Sequence, residues 1–507
     1  MTDEHASERA YAELIARARE DALLASCANL LEWDQETYMP DGAVGGRSDQ
    51  LAFLAGQLHA RATDPRVGEL LATIEGSPLT TDPTAPTAVN VRQIRRTYDR
   101  ETRIPRSLAE ALARTTALAQ QEWAAARADA DFPRFRPWLE QIIALKRDEA
   151  ECVGYTESPY DALLDEYEPD ARASDVQRLY DAIRADLVPL IDAITGAARQ
   201  PSIDVLHRDY APDRQHQLVD TLARAVGFDF TRGRLDRSVH PFCARVGASD
   251  VRLTTRYDAR NMAESLFGVL HEVGHGLYDQ GLDPSAYGTP MGEPISLGVH
   301  ESQSRLWENR VGRGRAFWTY AFPIAKNIFP DALGDATADS LHFAVNHVAR
   351  TPIRTRADEV TYNLHTLVRF ELERAMITGD LAPADVPEAW NDGYRRYLGI
   401  TPASDAEGCL QDTHWSAGLI GYFPTYTLGD IYSAQLIDAA ARDVGSLDAH
   451  IARGDFTPLL HWLRTHVHCH GQRYTAAQLV EHATGSPPDH RPLMTWFRNK
   501  YADLYAL

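Results

Sequence analysis

The chain has 507 residues, of which 44% are hydrophobic, and a formal net charge of −21 at pH 7. This length and apolar content are enough for a large buried core, and the acidic surface disfavours nucleic acid and anionic membranes as partners. The five cysteines are odd in number and widely spaced, which indicates reduced thiols. With a charged start and no long apolar run, the sequence predicts a cytoplasmic protein without a signal peptide or membrane span.

Helical periodicity accounts for most of the predicted secondary structure. Segments rich in Ala, Leu, Glu and Arg repeat apolar residues at helical spacing. They predict helices over 5–32, 44–63, 106–130, 174–197, 212–226, 261–280, 296–311, 359–378 and 430–453. Strand signals fall only in 233–258 and 418–427. Since no composition break or fixed-period repeat divides the chain, we expect a mainly α single domain of residues 1–507 with a small antiparallel β-sheet.

One strand signal has a functional interpretation. Residues 250–257 alternate in side-chain character, with Val251 and Leu253 on one face and Arg252 and Thr254 on the other. As an edge strand, this segment could pair with the backbone of an extended peptide. A short structural hairpin is the alternative, and the two do not exclude each other.

The most informative stretch is the motif His271-Glu272-Val273-Gly274-His275, in a helical pattern that Gly281 can end. Histidines at i and i+4 project from one face of a helix, close enough to hold one zinc ion. A carboxylate beside the first histidine can act as general base toward water on that ion. The motif therefore predicts a zinc hydrolase.

A site of this kind needs a third protein ligand, and the next helical pattern offers three candidates. Glu301 opens that pattern, which Gly312 can end, after a loop rich in Gly and Pro. His300 and Glu308 compete with it for the role. Spacing alone makes Glu301 only a modest favourite.

A second cluster, His466-Val467-His468-Cys469-His470, could suggest another metal site. The pattern that precedes it is helical, so His466 and His470 would share a face while His468 points away. No further ligand is fixed nearby, which argues against a second metal.

Two other function classes use parts of the same pattern. Two histidines and a carboxylate also bind Fe(II) in oxygenases, but that chemistry has no use for the carboxylate of Glu272. An inactive peptide-binding scaffold would not need both histidines together with Glu272 and Glu301. The pattern favours a hydrolase.

The motifs, taken in order, resemble those of the thermostable carboxypeptidase Taq family of HEXXH metallopeptidases. The resemblance spans nearly the whole chain. It rests on HEVGH (271–275) and HESQSR (300–305), and on LEWDQETYMP (31–40), PYDALLDEYEP (159–169), HPF (240–242), DVRLT (250–254), IRTRAD (353–358), GCLQDTHW (408–415) and the 462–471 stretch.

This resemblance implies a fold, an activity and a ligand set. The fold would be neurolysin-like, with a deep substrate groove between helical halves and the sheet near the metal site. His271, His275 and Glu301 would bind Zn²⁺, for which Co²⁺ often substitutes, and Glu272 would be the general base. The protein would be a homodimer that removes single residues, with broad specificity, from peptides with a free carboxyl terminus. A peptidyl-dipeptidase or short-oligopeptide endopeptidase is the nearest alternative.

Recognition of a terminal carboxylate predicts an arginine, whose planar fork binds carboxylates with two hydrogen bonds. Arg354 in the IRTRAD segment is the first choice and Arg356 the alternative, while Arg252 is a weaker candidate. His240 in the HPF motif could orient the substrate or a carboxylate near the metal, or simply pack beside Pro241.

Peptide hydrolysis also needs hydrogen-bond donors for the developing oxyanion. His414 and Tyr422 are the predicted suppliers, with Tyr426 close behind. For each of these residues, an ordinary packing role in the core is the competing interpretation.

Overall fold

Helices dominate the computed structural model, which describes residues 2–507, with side chains from residue 5 onward. The α-helices are α1 (Thr2–Thr37), α2 (Val44–Ala62), α3 (Pro65–Ile74), α4 (Pro86–Arg103), α5 (Arg106–Asp129), α6 (Phe132–Val153), α7 (Pro159–Leu164), α8 (Ala173–Gly196), α9 (Pro212–Val226), α10 (Met262–Gly281), α11 (Leu297–Arg305), α12 (Arg315–Ile328), α13 (Ala338–Val345), α14 (Tyr362–Thr378), α15 (Val386–Leu398), α16 (Pro424–Val444), α17 (Leu447–Ala452), α18 (Thr457–His466), α19 (Ala476–Thr484) and α20 (Arg491–Tyr505). The mainly α fold is confirmed.

Most predicted helices recur within a few residues of their predicted bounds, but two predictions near the carboxyl end are wrong. The strand predicted over 418–427 is a series of turns followed by the first residues of α16, which begins at Pro424. The helix predicted over 430–453 is broken at Gly445, whose φ of 70° ends α16 before α17 starts. Proline at the first helical position explains the early start.

The sheet has three strands, β1 (Gly233–Arg237), β2 (Cys243–Gly247) and β3 (Asp250–Thr255), in the order β1-β3-β2. β2 pairs with β3 antiparallel, but β1 pairs with β3 in parallel, so the predicted purely antiparallel sheet is wrong. β3 is the central strand. The prediction that it is an edge strand free to pair with a peptide is therefore also wrong, because both of its edges are already hydrogen-bonded.

Helix α10, which carries the HEVGH motif, is fixed at both ends and along its length. The side chain of Asn261 caps its start by accepting a hydrogen bond from the Ala263 amide, and Gly281 is its last residue. Its predicted apolar stripe is buried: Met262, Leu266, Val269, Leu270, Val273 and Leu277. These residues belong to the main hydrophobic core, while a smaller cluster joins α1, α3 and α4.

Helix α11 lies between α10 and α16 at distances that only glycine permits. A Cβ placed on Gly274 of α10 would lie 2.5 Å from the carbonyl oxygen of Gln303 and 2.6 Å from Cα of Ser304. A Cβ on Gly429 of α16 would lie 2.7 Å from the Cβ and Cγ of Glu301. Both are far inside van der Waals contact. These two glycines therefore set how closely α11 approaches its neighbours.

The helix predicted over 296–311 is an α-helix followed by a π-helix. α11 ends at Arg305, and residues Leu306–Gly312 continue in π conformation. A π turn shifts the side chains that follow around the axis and is common at functional sites. Within residues 2–507, we find no helix that combines the length and apolar character needed to cross a membrane.

The close packing at Gly274 predicts the effect of adding one methyl group. Gly274→Ala places a Cβ against the backbone of α11, which cannot move aside locally, so we expect a loss of about 1–3 kcal/mol in the free energy of unfolding. Because α11 carries Glu301, the variant should also bind less metal. Urea denaturation and elemental analysis measure the two effects.

Gly56→Ala is the matched control, because a Cβ at this exposed position of α2 meets nothing within 4 Å. It should stabilise the protein by about 0.5–1 kcal/mol, since alanine loses less backbone entropy in a helix than glycine. A Gly274→Ala protein that is as stable as the Gly56→Ala protein and holds as much metal would contradict this account.

Candidate metal centre

Two imidazoles of α10 and one carboxylate of α11 converge on a single point. His271 Nε2 and His275 Nε2 each lie 3.6 Å from Oε2 of Glu301. One ligand atom from each of the three residues falls within 4.8 Å of the others, and among the side chains that the structure describes, from residue 5 onward, no other three His, Cys, Asp or Glu residues form such a group. The structure thus brings together the three residues that the sequence favoured as ligands.

The spacing of these atoms fits a tetrahedral cation. Zinc bonds to histidine and carboxylate of about 2.1 Å, at tetrahedral angles, place neighbouring ligand atoms about 3.4 Å apart. The observed separation of 3.6 Å is close to that value. Neutral nitrogen and carboxylate oxygen are also a donor set that a divalent cation accepts.

His271 is held from behind by Glu308, which the sequence offered as a competing ligand. Oε2 of Glu308 lies 3.0 Å from Nδ1 of His271 and accepts a hydrogen bond from the Nδ1–H, which leaves Nε2 free for a metal. Burial alone would raise the pKa of Glu308, but the hydrogen bond from His271 and the charge of Arg305 lower it to about 2. Glu308 therefore contacts His271 from behind and is not part of the cluster of His271, His275 and Glu301.

His275 is held by His300, the other competitor for the third ligand. The two Nδ1 atoms lie 2.5 Å apart, and Nε2 of His300 lies 3.3 Å from Oδ1 of Asp279. If Nε2 of His275 faces the metal, its Nδ1–H donates to His300, whose own proton then sits on Nε2 and points to Asp279. Asp279 and His300 together fix the tautomer of His275.

Glu301 is oriented by its own helix. Arg305, one turn later, donates from Nε to Oε1 at 2.7 Å, and Ser304 donates from its hydroxyl to Oε2 at 3.1 Å. All three side chains are buried. The sequence did not single out Arg305, although its i+4 spacing from Glu301 is the signal that could have identified it.

Glu272 is buried beside the ligands and makes no hydrogen bond to the residues that the structure describes. Burial raises the pKa of its carboxyl to about 7, and the charges of Glu301 and Glu308 add to this effect while His271 opposes it. A carboxyl group with such a pKa exchanges protons readily at neutral pH. Glu272 therefore has the environment expected of a general base.

The HPF loop lies against α10 one turn before His271. A Cβ on Gly268 would be 4.0 Å from Cγ of Pro241. Thr254 of β3 holds this loop, because its hydroxyl accepts from the Phe242 amide at 2.9 Å and from the Ser238 hydroxyl at 2.7 Å. The HPF and DVRLT motifs thus form one structural unit, from which the His240 side chain is exposed.

Arg252 is already paired within the protein. Its guanidinium donates to both carboxylate oxygens of Asp250, at 3.0 and 2.8 Å, and lies 4.2 Å above the ring of Trp33 in α1. A cation held by an acid and an aromatic face braces the sheet against α1.

His414 and the two tyrosines are close together, as the oxyanion hypothesis requires. His414 Nε2 lies 3.1 Å from the Tyr426 hydroxyl, and its ring centroid lies 5.3 Å from that of Tyr422. Burial and the charge of Arg354 lower the pKa of His414 to about 3, so the ring is neutral at pH 7. Burial, followed by the negative charge of Glu301, raises the pKa of Tyr422 to about 12, which keeps its hydroxyl protonated.

Arg354 is buried and belongs to a charged cluster. Its Nε and Nη2 donate to Oδ1 of Asp412 at 3.0 and 2.8 Å, and its Nη1 donates to the Tyr362 hydroxyl at 2.8 Å. Arg369 donates to the other oxygen of Asp412 at 2.7 Å. Two guanidinium groups share one carboxylate, so the cluster keeps one positive charge. Arg356, in contrast, is exposed and has no ion pair within the described residues.

The histidines of the 466–470 stretch lie in three different environments. His466 stacks on Trp462, with ring centroids 4.6 Å apart. His468 is buried with Nε2 3.0 Å from Oε1 of Gln303, and the ring of His470 packs against Tyr474. His468 therefore supports α11 from outside the site.

Comparison with known proteins agrees with this geometry. Residues 13–501 match the family described as carboxypeptidase Taq (M32) metallopeptidase. The chain belongs to this family. It is therefore a metal-dependent peptide hydrolase of the carboxypeptidase class, as the sequence predicted. The resemblance to the Taq carboxypeptidases, inferred from motifs alone, is confirmed.

The similarity extends over full-length relatives. The chain is 46% identical to thermostable carboxypeptidase 1 of Thermus thermophilus over 98% of its length and 99% of the relative's. It is 34% identical to carboxypeptidase 1 of Bacillus subtilis, over 99% of each chain. The crystal structure of the M32 carboxypeptidase from Deinococcus radiodurans superimposes with a TM-score of 0.95 at 41% identity, covering 98% of this chain and 100% of that one.

The contact between Glu308 and His271 generates a prediction about metal affinity. Glu308→Gln keeps the shape of the side chain but removes the negative charge that orients and polarises His271. We expect affinity for the metal to fall about 10- to 100-fold, measured by competition with a chelator of known affinity.

Glu264→Gln is the control. It also replaces a glutamate by glutamine, but at a position of α10 where the carboxylate pairs with Arg256. Its metal affinity should equal that of the unsubstituted protein. Equal affinities in all three proteins would contradict the role given to Glu308.

Proposed function

We propose that this chain removes single residues from the carboxyl end of peptides with broad specificity, using Glu272 as general base beside a divalent ion held by His271, His275 and Glu301. The observation that carries the proposal is the convergence of two imidazole nitrogens and one carboxylate oxygen, with an unpartnered carboxyl group in the same helix turn.

Zinc is the proposed ion, with cobalt able to replace it. Both accept a tetrahedral set of two nitrogens and one oxygen, and the 3.6 Å spacing supports that set. When bound, the ion supplies Lewis acidity and lowers the pKa of water in its open position. Glu308 and His300, the latter next to Asp279, contact the Nδ1 atoms of the two histidines, which leaves each Nε2 to face the ion.

Glu272 carries the proton through the proposed reaction. One of its carboxylate oxygens removes a proton from the attacking water and later delivers it to the nitrogen of the departing amino acid. Glu272 has no hydrogen-bond partner among the described side chains and backbone, which supports this role, because a carboxylate already paired with an arginine would be a poor base.

His414 and Tyr422 are the proposed donors to the developing oxyanion, with Tyr426 as the alternative tyrosine. All three side chains form one aromatic wall, and the charge of Glu301 acts on both tyrosines. A protonated hydroxyl is required of such a donor, and the raised pKa of Tyr422 provides it.

Arg354 is the proposed partner of the substrate's terminal carboxylate. Its cluster with Arg369 and Asp412 keeps one net positive charge, and its guanidinium lies 4.9 Å above the ring of Tyr426 in the aromatic wall. Arg356 remains the alternative because it is exposed and unpaired.

His240 is a proposed substrate contact from the HPF loop. Arg252 is a weaker candidate than Arg354, because binding the substrate would require Arg252 to release Asp250.

The remaining proposals concern the setting of the enzyme. The five cysteines are free in the structure, which supports the cytoplasm as its compartment. The net charge of −21 supports peptides rather than nucleic acid or membranes as partners.

We also propose a single catalytic domain over 1–507 and, from the family resemblance, a homodimer. Exposed apolar side chains on α1 and α2, such as Leu23 and Phe53, support an interface there.

Glu272→Gln tests the general base. Since glutamine keeps the shape of the side chain but cannot take a proton, we expect turnover to fall about 10²- to 10⁴-fold while the metal content stays unchanged. Release of amino acids from an amino-blocked peptide, followed by mass spectrometry, measures the rate.

In the same assay the Glu264→Gln control should hydrolyse peptides normally. A chelator should abolish the activity of the unsubstituted protein and of the Glu264→Gln protein. Turnover by Glu272→Gln at the normal rate would refute the assignment. Products shortened by two residues, or cut internally, would favour the peptidyl-dipeptidase or endopeptidase alternative.

Amidated and free-acid forms of one peptide test carboxylate recognition. If Arg354 binds the carboxylate, amidation should lower kcat/KM about 10- to 100-fold, because a charged hydrogen bond contributes about 1.5–3 kcal/mol. Arg354→Met should lower kcat/KM for the free acid and remove most of the difference between the two peptides.

Arg356→Met is the matched variant and should preserve that difference. If it removes the difference and Arg354→Met does not, Arg356 is the carboxylate partner. Equal cleavage of both peptides by the unsubstituted enzyme would exclude either arginine from this role.

A further inference from the structure

Tyr362, the first residue of α14, lies between two arginines that serve different parts of the active site. Its hydroxyl accepts a hydrogen bond at 2.8 Å from Nη1 of Arg354, the proposed partner of the substrate's carboxylate. Its ring faces Arg305, whose guanidinium carbon lies 4.0 Å from the ring centroid. Arg305 in turn donates to Glu301, a candidate metal ligand. One side chain therefore contacts the arginine of the carboxylate site and the arginine of the metal site.

The IRTRAD segment folds so that Tyr362 returns to Arg354, eight residues earlier in the chain. Asp358 accepts hydrogen bonds from the backbone amides of Val360 and Thr361, at 2.9 and 3.0 Å. The Tyr362 amide donates to the carbonyl oxygen of Asp358 at 3.1 Å. This is an Asx turn immediately before α14. The last residue of the motif thus fixes the tyrosine that contacts the first arginine of the motif.

Asp412 and Tyr362 restrain Arg354 from two sides. Asp412 accepts from Nε and Nη2, and the Tyr362 hydroxyl accepts from Nη1. These contacts engage three of the five N–H donors of the guanidinium group, which leaves one on each Nη atom for a substrate carboxylate. The hydroxyl therefore orients Arg354 without using the N–H groups that recognition requires.

The ring of Tyr362 restrains Arg305. A guanidinium group over an aromatic face is held by a cation–π contact, which is stronger for buried groups than for exposed ones. Both side chains are buried, and Nε of Arg305 lies 2.7 Å from Oε1 of Glu301. Arginine has a long side chain with large rotamer entropy, so its guanidinium needs fixed neighbours to stay in one position. The ring supplies such a neighbour.

Removal of a single terminal residue requires two points of the site to stay at a fixed separation. The terminal carboxylate of the substrate is bound at one point while the scissile carbonyl lies beside the metal at the other. A displacement of about 1 Å between such points lowers the rate about 100-fold. Tyr362 is suited to maintain this separation, because its ring is rigid, only 5% exposed and packed edge-on against Tyr426 with centroids 6.1 Å apart.

We propose that Tyr362 is a positioning residue that fixes Arg354 and Arg305 relative to each other, and thereby sets the separation between the carboxylate-binding group and the metal ligands. Its hydroxyl acts through Arg354, and its ring acts through Arg305 on Glu301. This inference rests on the proposed carboxypeptidase function. It adds the residue that ties recognition of the chain end to the position of the metal.

Tyr362→Phe removes the hydroxyl and keeps the ring. The ratio of kcat/KM for a free-acid peptide to that for its amide should fall about 3- to 10-fold, because Arg354 loses one of its restraints. The affinity for zinc, measured by competition with a chelator, should not change, because the ring still faces Arg305.

Tyr362→Leu removes the ring as well. The affinity for zinc should fall about 3- to 30-fold, because the cation–π contact that holds Arg305 beside Glu301 is lost. Urea denaturation of the metal-free protein accompanies this measurement, so that a loss of folded protein is not counted as a loss of affinity. If the leucine variant does not fold, Tyr362→Trp, which keeps an aromatic face without the hydroxyl, should bind zinc normally.

A double substitution shows whether the hydroxyl acts through Arg354. Adding Tyr362→Phe to Arg354→Met should leave the free-acid to amide ratio where Arg354→Met alone places it, since two residues that act through one contact are not additive. A merely structural tyrosine would lower the cleavage of both peptides by the same factor in either background.

Tyr397→Phe is the matched control. Tyr397 is also 5% exposed, its hydroxyl lies 3.3 Å from Nη1 of Arg184, and it donates to Oε2 of Glu371 at 2.9 Å. It therefore loses a comparable buried hydroxyl beside an arginine, but between α8, α14 and α15. The free-acid to amide ratio and the affinity for zinc should both equal those of the unsubstituted protein.

Two results would overturn this inference alone. They are a free-acid preference that Tyr362→Phe leaves unchanged, and affinities for zinc that are equal in the Tyr362→Phe and Tyr362→Leu proteins. Equal cleavage of the two peptides by the unsubstituted enzyme is a different outcome. It would refute the proposed carboxylate recognition by Arg354 and, with it, the part of this inference that concerns the hydroxyl.

Discussion

The approach of α11 to α10 is the constraint on which the active site depends. In this structure the carboxylate and the two imidazoles come together where the helices lie closer than ordinary side chains would allow. Gly274 and Gly429 provide this closeness, because neither tolerates a Cβ against α11. The three candidate metal ligands are thus positioned by glycines on the neighbouring helices, against which the backbone of α11 packs on both sides.

Charge is the second organising factor. Glu272, Glu301 and Glu308 lie within the same buried region, and three carboxylates without cations would be strongly unfavourable there. Arg305 pairs with Glu301, and Arg313 lies 3.5 Å from Glu308. Glu272 alone has neither an arginine nor a hydrogen bond within the described residues. The structure therefore gives each of the three carboxylates a different set of neighbours, and leaves Glu272, the proposed general base, without a cationic partner.

The sequence predicted the chemistry of the site more accurately than it predicted the β-strands. HEVGH fixes its geometry locally, because the i and i+4 positions of a helix share a face in any protein. The strand predicted over 418–427 is wrong because apolar residues occur in buried turns as well as in strands, and because α16 starts inside this range with Pro424 at its first helical position. β3 was wrongly placed at an edge because the order of strands depends on long-range pairing, which periodicity does not report.

What the sequence alone determined was therefore the helical architecture, the family, and the pair of histidines with its adjacent glutamate, all of which follow from local spacing or motif order. Only the tertiary structure decided which of His300, Glu301 and Glu308 reaches the shared point, and which two support the histidines from behind. It also revealed Arg305 as the partner of Glu301, and showed Arg354 sharing Asp412 with Arg369. These outcomes depend on distances between helices, which are set by packing in three dimensions and leave no periodic signal in the chain.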